Sequence, residues 1–253
     1  MPKILQKSRR VFSPCTPKKR MLEKSSNFFK RVRNEALKKK TIKVGTKYID
    51  FGTEGPIILE SGKLWLITAE IRGGKWGKHY ILVGPNLKSI LSKKETFLRI
   101  DSGCLSGMVF GDTTCDCLQQ LREAQKIIAK FGGIIIHIPD QDGRGWQEYK
   151  MANQRIMRDC SIDTISAAIK FYGDMEIIDS RTYEEAATIL KALGFSKRYK
   201  FILGTENTSK IYALKQAGFN VKTKPIKTKG LGKKARLNLN AKYRYWKLKR
   251  NKK

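Results

Sequence analysis

Apolar positions change period several times along this chain, and each change marks an element. KLWLITAEI (63–71) is rich in β-branched and aromatic residues, as a strand is. The turn RGGKWG follows, then HYILV, so the pair reads as a hairpin. TFLRID (96–101) predicts a further strand. From Cys117 to Phe131 the period becomes helical, with Leu118, Leu121, Ala124, Ile127 and Ile128 on one side. Gly132-Gly133 stops that helix, and IIIHI follows as a buried strand. Residues 147–159 predict a polar helix. Thr182-Tyr-Glu-Glu185 has the form of a capping box opening a helix that ends by Gly194. KFILG, residues 208–217 and FNVKT then predict strand, helix and strand. Strands alternating with helices predict an α/β fold, a layered mixed sheet with flanking helices.

Charge divides the chain differently. The formal net charge is +31, but residues 1–48 carry 16 Lys/Arg against 2 Glu, and residues 222–253 carry 14 Lys/Arg and no acid. The body between is close to neutral. This predicts a basic, poorly ordered arm (1–45, with a short helix around 27–40), a central domain (46–225) and a basic tail (226–253). Basic ends can bind nucleic acid through counterion release, and KYRYWKLKR interleaves aromatics with cations in a way that suits single strands. A solvated lysine-rich surface explains the same letters. The first forty residues lack the apolar core of a secretory signal, and no run is long enough for a membrane span. The expectation is a soluble, cytoplasmic protein with reduced thiols and no membrane partner.

The candidate chemistry sits in SGCLSGMVFGDTTCDC. Cys104, Cys115 and Cys117 offer three soft ligands and no evident fourth, which suits an open zinc site with a position left for water. Three small buried residues are the plain alternative. Cys115 and Cys117 directly precede a helix, whose N-terminus favours thiolates. Cys15 and Cys160 are not placed to join them, and His137 reads as a strand residue rather than a ligand. Alone, Thr205 and Lys210 read as surface residues at a strand–helix junction.

Residues 99–121, RIDSGCLSGMVFGDTTCDCLQQL, resemble the zinc segment of the GTP cyclohydrolase II family, with all three cysteines and a following Gln120 in register. Gln141-Asp142-Gly143-Arg144 resembles the family's Gln-Glu-Gly-Arg loop, Asp179-Ser-Arg181 its Asp-x-Arg element, and LGTENTSK its Leu-Thr-Asn-Asn-Pro-x-Lys segment. The order is kept over roughly residues 95–225.

The resemblance implies a GTP cyclohydrolase II-like fold and a zinc hydrolase that opens the imidazole ring of GTP, releasing formate and pyrophosphate at the start of riboflavin synthesis. By position, Cys104, Cys115 and Cys117 hold zinc, whose hydroxide attacks C8. Arg181 attacks the α-phosphate, or only stabilises its charge, with Asp179 as proton-accepting partner. Arg99, Ser102, Gln120, Asp142, Gly143, Arg144, Thr164, Thr205 and Lys210 contact the nucleotide. Magnesium on the triphosphate and a homodimer are implied as well. A divergent, non-catalytic nucleotide or nucleic-acid binder using the same fold and the basic ends is the competing expectation.

The sequence also departs from the family pattern. Asp101-Ser102-Gly103 replaces His-Ser-Glu, and Asp140 replaces the loop's leading Arg, placing an acid near the expected triphosphate. Gly145-Trp146-Gln-Glu148 replaces Gly-Ile-Gly-Leu. Arg155 replaces a Tyr of the phosphoryl step and is expected to add a cation to the pocket.

Overall fold

The computed structural model describes residues 40–251 apart from 148, 175–176 and 198. Most of the N-terminal arm, its expected helix and Cys15 therefore lie outside the described residues. Eight strands among the described residues form one mixed sheet: β1 (Lys40–Val44), β2 (Lys47–Leu59), β3 (Gly62–Ile71), β4 (His79–Gly84), β5 (Glu95–Ser102), β6 (Gly133–Ile138), β7 (Lys200–Leu203) and β8 (Asn220–Thr223). Their order is β1-β2-β3-β4-β6-β5-β7-β8. Pairing is antiparallel from β1 through β4 to β6, and parallel across β6, β5, β7 and β8.

The helices are α1 (Leu87–Leu91), α2 (Leu105–Met108), α3 (Cys117–Phe131), α4 (Tyr149–Asp159), α5 (Thr164–Tyr172), α6 (Glu184–Ala192), α7 (Thr208–Gln216) and α8 (Lys233–Asn251). The two faces of the sheet follow from alternation along the strands. Leu98, Ile100, Ile134, Ile136 and Ile138 pack toward Ala186, Ile189 and Leu190 of α6 and Ala213 and Leu214 of α7. Phe97 and Ile135 face the other way, onto Ala124 and Ile128 of α3. On that second face β5 runs Phe97, Arg99, Asp101. Its apolar character gives way to charge at the carboxyl ends of the parallel strands, where open α/β sheets place their ligand crevices.

Three expectations change. Residues 40–44 belong to the sheet rather than to an arm, because Ile42 and Ile49 lie opposite one another across the β1–β2 pair. The capping box is not made. Tyr183 is the N-cap of α6 without a side-chain cap, since the Thr182 hydroxyl accepts from Trp76 Nε1 at 3.0 Å and Glu185 accepts from the Lys75 amide at 2.6 Å. The tertiary partners of the 72–77 turn outcompete the local motif. Finally, the basic segment from 226 contains α8, whose Ala235, Asn238, Ala241 and Tyr245 are buried. Ala241 and Tyr245 pack with Tyr149 of α4 and Ile165 and Ala168 of α5. Tyr245 is thus inside the fold rather than presented to a strand of nucleic acid. No helix among the described residues is long and apolar enough to cross a membrane.

Candidate metal and nucleotide site

The loop after β5 makes the cysteine cluster. The ligand atoms of Cys104, Cys115 and Cys117 lie within 4.8 Å of one another, with the Cys104 and Cys115 sulfurs 3.5 Å apart. Sulfurs sharing one tetrahedral zinc, with Zn–S near 2.3 Å, sit about 3.8 Å apart, so the donor set fits a thiophilic divalent metal. Close approach is permitted by Gly107: a Cβ there would lie 2.6 Å from the Cys115 sulfur and 2.9 Å from that of Cys104.

Ionisation within the cluster is unequal. Hydrogen bonds from Cys115 and Cys117 push the Cys104 thiol far down against burial, and the Lys150 ammonium, 2.8 Å from its sulfur, adds to this. The same contacts with Cys104, together with burial, push Cys115 and Cys117 up. Without a metal, a thiolate at Cys104 opposes ionisation of its two neighbours. Lys150 carries no motif signal in the sequence; only the helical turn of α4 brings it onto the cluster and within 3.3 Å of Asp142.

The adjoining cavity, about 220 Å³, is lined by all the expected site residues except Asp179, which holds the lining residue Arg181. Arg99 donates to the Gly204 carbonyl at 2.8 Å and to Gln120 Oε1 at 2.5 Å, and pairs with Asp101 at 3.2 Å. Asp101 also binds His137 Nδ1 at 2.8 Å; against burial, His137 and Arg99 hold its carboxyl below the usual range. Arg144 donates to the Thr164 hydroxyl at 2.7 Å, and burial lowers its pKa. It sits at φ 62°, directly after Gly143 at φ 58°. A left-handed side-chain-bearing residue costs about 1–3 kcal/mol, and such strain concentrates at functional sites. Asp179 grips Arg181 through two bonds, 2.8 Å and 2.6 Å. Burial opposes both charges, yet the pair holds Asp179 below the carboxylate range and Arg181 above its ordinary value.

Lys210 and Thr205 are buried lining residues, not surface ones, because the β7–α7 junction turns inward here. Lys210 donates to the Ile100 carbonyl at 2.8 Å. Burial, then Arg99 and Arg181, press its pKa well below that of a free lysine. Ser102 donates to Gln141 Oε1 at 2.8 Å. The Gln120 amide is committed at both ends, to Arg99 and to Asp116 Oδ2 at 2.5 Å. Asp142 accepts from the Leu105 and Gly143 amides at 2.9 Å and 2.7 Å.

Two of the departures move off the site. Asp140 accepts from the Gly77 amide at 2.9 Å and does not line the cavity, so it ties the β3–β4 turn to the loop. Arg155 adds no cation to the pocket: it lies on the outer side of α4, with its side chain 79% exposed and paired with Asp159. At Gly103 a Cβ would meet the Pro139 carbonyl oxygen at 2.0 Å, so the glutamate usual in the family does not fit this backbone. Among the lining residues that sequence reasoning missed are Asn153 and Gln154 of α4, Glu206, and Asn238, Lys242 and Tyr243 of α8.

The profile of the family described as GTP cyclohydrolase II matches residues 68–225, more than half of the chain. This chain belongs to that family. Riboflavin biosynthesis protein RibBA of Chlamydia muridarum is 31% identical over 145 residues, covering 57% of this chain and 32% of its own length. GTP cyclohydrolase-2 of Psychromonas ingrahamii is 36% identical over 126 residues, covering 49% and 58%. GTP cyclohydrolase-2 of Helicobacter pylori (strain P12) is 28% identical over 171 residues, covering 67% and 83%. The chain thus spans about a third and under two thirds of the first two relatives. A solved two-domain 3,4-dihydroxy-2-butanone 4-phosphate synthase from A. baumannii overlays 83% of this chain and 50% of its own, at 14% identity and a TM-score of 0.37, a likeness too slight to add to the sequence match.

Loading the cysteine cluster with a divalent metal at neutral pH should release about two protons per metal, from Cys115 and Cys117. Calorimetry in buffers of different ionisation enthalpy measures this, and release of none contradicts the thiol–thiolate state described. A second expectation concerns Lys210. Its charge is lost on raising the pH before that of an ordinary lysine, near pH 10.4. Affinity for inorganic triphosphate should therefore fall as pH rises below that range, and Lys210→Arg, which stays charged, should flatten the dependence. Equal pH dependence in both proteins counts against this.

Proposed function

We propose that this protein is a zinc-dependent GTP cyclohydrolase II that opens the imidazole ring of GTP, releases formate and pyrophosphate, and begins riboflavin synthesis. The observation that carries the proposal is that the three cysteines and the cations Arg99, Arg144, Arg181 and Lys210 line one cavity. A purine nucleoside triphosphate needs both ends. Zinc, when held by Cys104, Cys115 and Cys117, supplies Lewis acidity and an ionisable water at neutral pH.

The chain's own groups do the rest. Arg144 and Lys210 offer buried positive charge to the triphosphate, with Thr164 and Thr205 at hand, and magnesium accompanies the phosphates. Such fixed donors stabilise a leaving pyrophosphate better than mobile solvent does. Arg181, held ionised by Asp179, serves as a charge stabiliser; a guanidinium raised above its usual pKa does not act as a nucleophile. Reading the guanine edge falls to Gln120, Asp142 and Ser102, each of which keeps hydrogen-bonding capacity beyond its internal bonds. A homodimer and a cytoplasmic setting accompany this reading.

The test is incubation of purified protein with GTP, zinc and magnesium, with formate and pyrophosphate measured separately. Both products are expected from the natural chain. Cys115→Ser should lose bound metal and at least about a hundredfold in formate release, since even supporting partners of a metal act on that scale. Absence of both products, with nucleotide still bound, would establish the non-catalytic binder instead.

A further inference from the structure

Helix α8 lies wholly beyond residues 68–225, the part of the chain that matches the family. Yet its inner face reaches the cysteine loop at two points. Asn238, 4% exposed, donates from Nδ2 to the Thr114 carbonyl at 2.8 Å, immediately before Cys115. One turn on, Lys242 Nζ lies 3.7 Å from Oδ1 of Asp116, the buried acid between Cys115 and Cys117. The spacing of four residues puts both side chains on the same side of α8, and both line the cavity.

Asn238 has a second bond. Its Oδ1 accepts from the Thr164 amide at 2.9 Å, at the start of α5, and the Thr164 hydroxyl in turn accepts from Arg144 at 2.7 Å. One amide therefore joins the backbone of the cysteine loop to the residue that orients Arg144. Lys242 answers a charge problem. Three thiolates around a divalent cation leave a net negative charge, and Asp116 adds to it in a buried place. An uncompensated buried charge is costly, and a nearby ammonium reduces the cost.

We propose that α8 is a clasp on the metal loop, with Asn238 and Lys242 as positioning residues that hold Thr114–Cys117 in its ligand-binding form and fix it relative to Arg144. This rests on the reading of the three cysteines as a metal site, and it extends that site to a segment outside the family match. Outer partners of metal ligands orient them and typically contribute ten- to a hundredfold in affinity.

The experiment measures zinc release to a chromogenic chelator from the zinc-loaded full chain, beside thermal melting of the metal-free protein. Asn238→Ala and Lys242→Met should each release zinc about tenfold faster or more. Lys242→Arg should keep the natural rate. Metal-free, Lys242→Met should lower the melting temperature less than Asn238→Ala, because the lysine side chain is 30% exposed and 3.7 Å from Asp116, whereas Asn238 is 4% exposed and makes two hydrogen bonds. Unchanged release in Asn238→Ala and Lys242→Met, with or without a lowered melting temperature, overturns the clasp and leaves α8 a packing element. Zinc uptake without formate release defeats the enzymatic reading alone, because the release rates still decide the clasp. Failure of the natural chain to take up zinc overturns both.

Discussion

Three sulfur ligands held within 4.8 Å of one another and a set of cations buried beside them set the terms for the rest of this structure. Neighbouring thiols resist ionising together without a cation, and Lys210 resists staying charged without an anion. Each half of the cavity is electrostatically incomplete in the opposite sense. On the proposed function, a metal would complete one half and a polyphosphate the other. Internal pairs such as Arg99 with Asp101 and Arg181 with Asp179 relieve part of the strain, which keeps these side chains in place before any ligand arrives.

The sheet makes that arrangement affordable. Alternation along β5 and β6 commits Leu98, Ile100, Ile134 and Ile136 to one layer and Phe97 and Ile135 to the other. Arg99, Asp101 and His137 can then occupy the strand ends without opening the core. Phe201, among the rings of Phe195, Tyr199 and Phe219, anchors β7 so that Gly204, Thr205 and Lys210 follow at a fixed place. The strained Arg144 backbone is tolerated because Thr164 holds its guanidinium.

Much of this was legible in the letters. Strand and helix periods from Lys63 to Thr223 are strong because each element has one buried face, and the four ordered segments contain many of the residues that line the cavity. What escaped has physical causes. The Thr182–Glu185 box looked local, but Trp76 and Lys75 claim its side chains from over a hundred residues away. The family pattern puts Asp140 and Arg155 at the pocket, whereas the direction of a side chain from its element decides, and both point elsewhere. Lys150 reaches Cys104 only through the turn of α4. Helix α8 is hidden by its own composition, because eight cations and three asparagines obscure the few buried positions, Ala235, Asn238, Ala241 and Tyr245.

The account stands on the two halves forming one site. Crystals grown with zinc and a non-hydrolysable GTP analogue, measured at the zinc absorption edge, test that directly. The predicted result is one anomalous peak bonded to the sulfurs of Cys104, Cys115 and Cys117, with the analogue's phosphates against Arg144, Arg181 and Lys210 and its imidazole ring toward the metal. Zinc bound away from the cysteines, or a nucleotide seated outside this cavity, would contradict it.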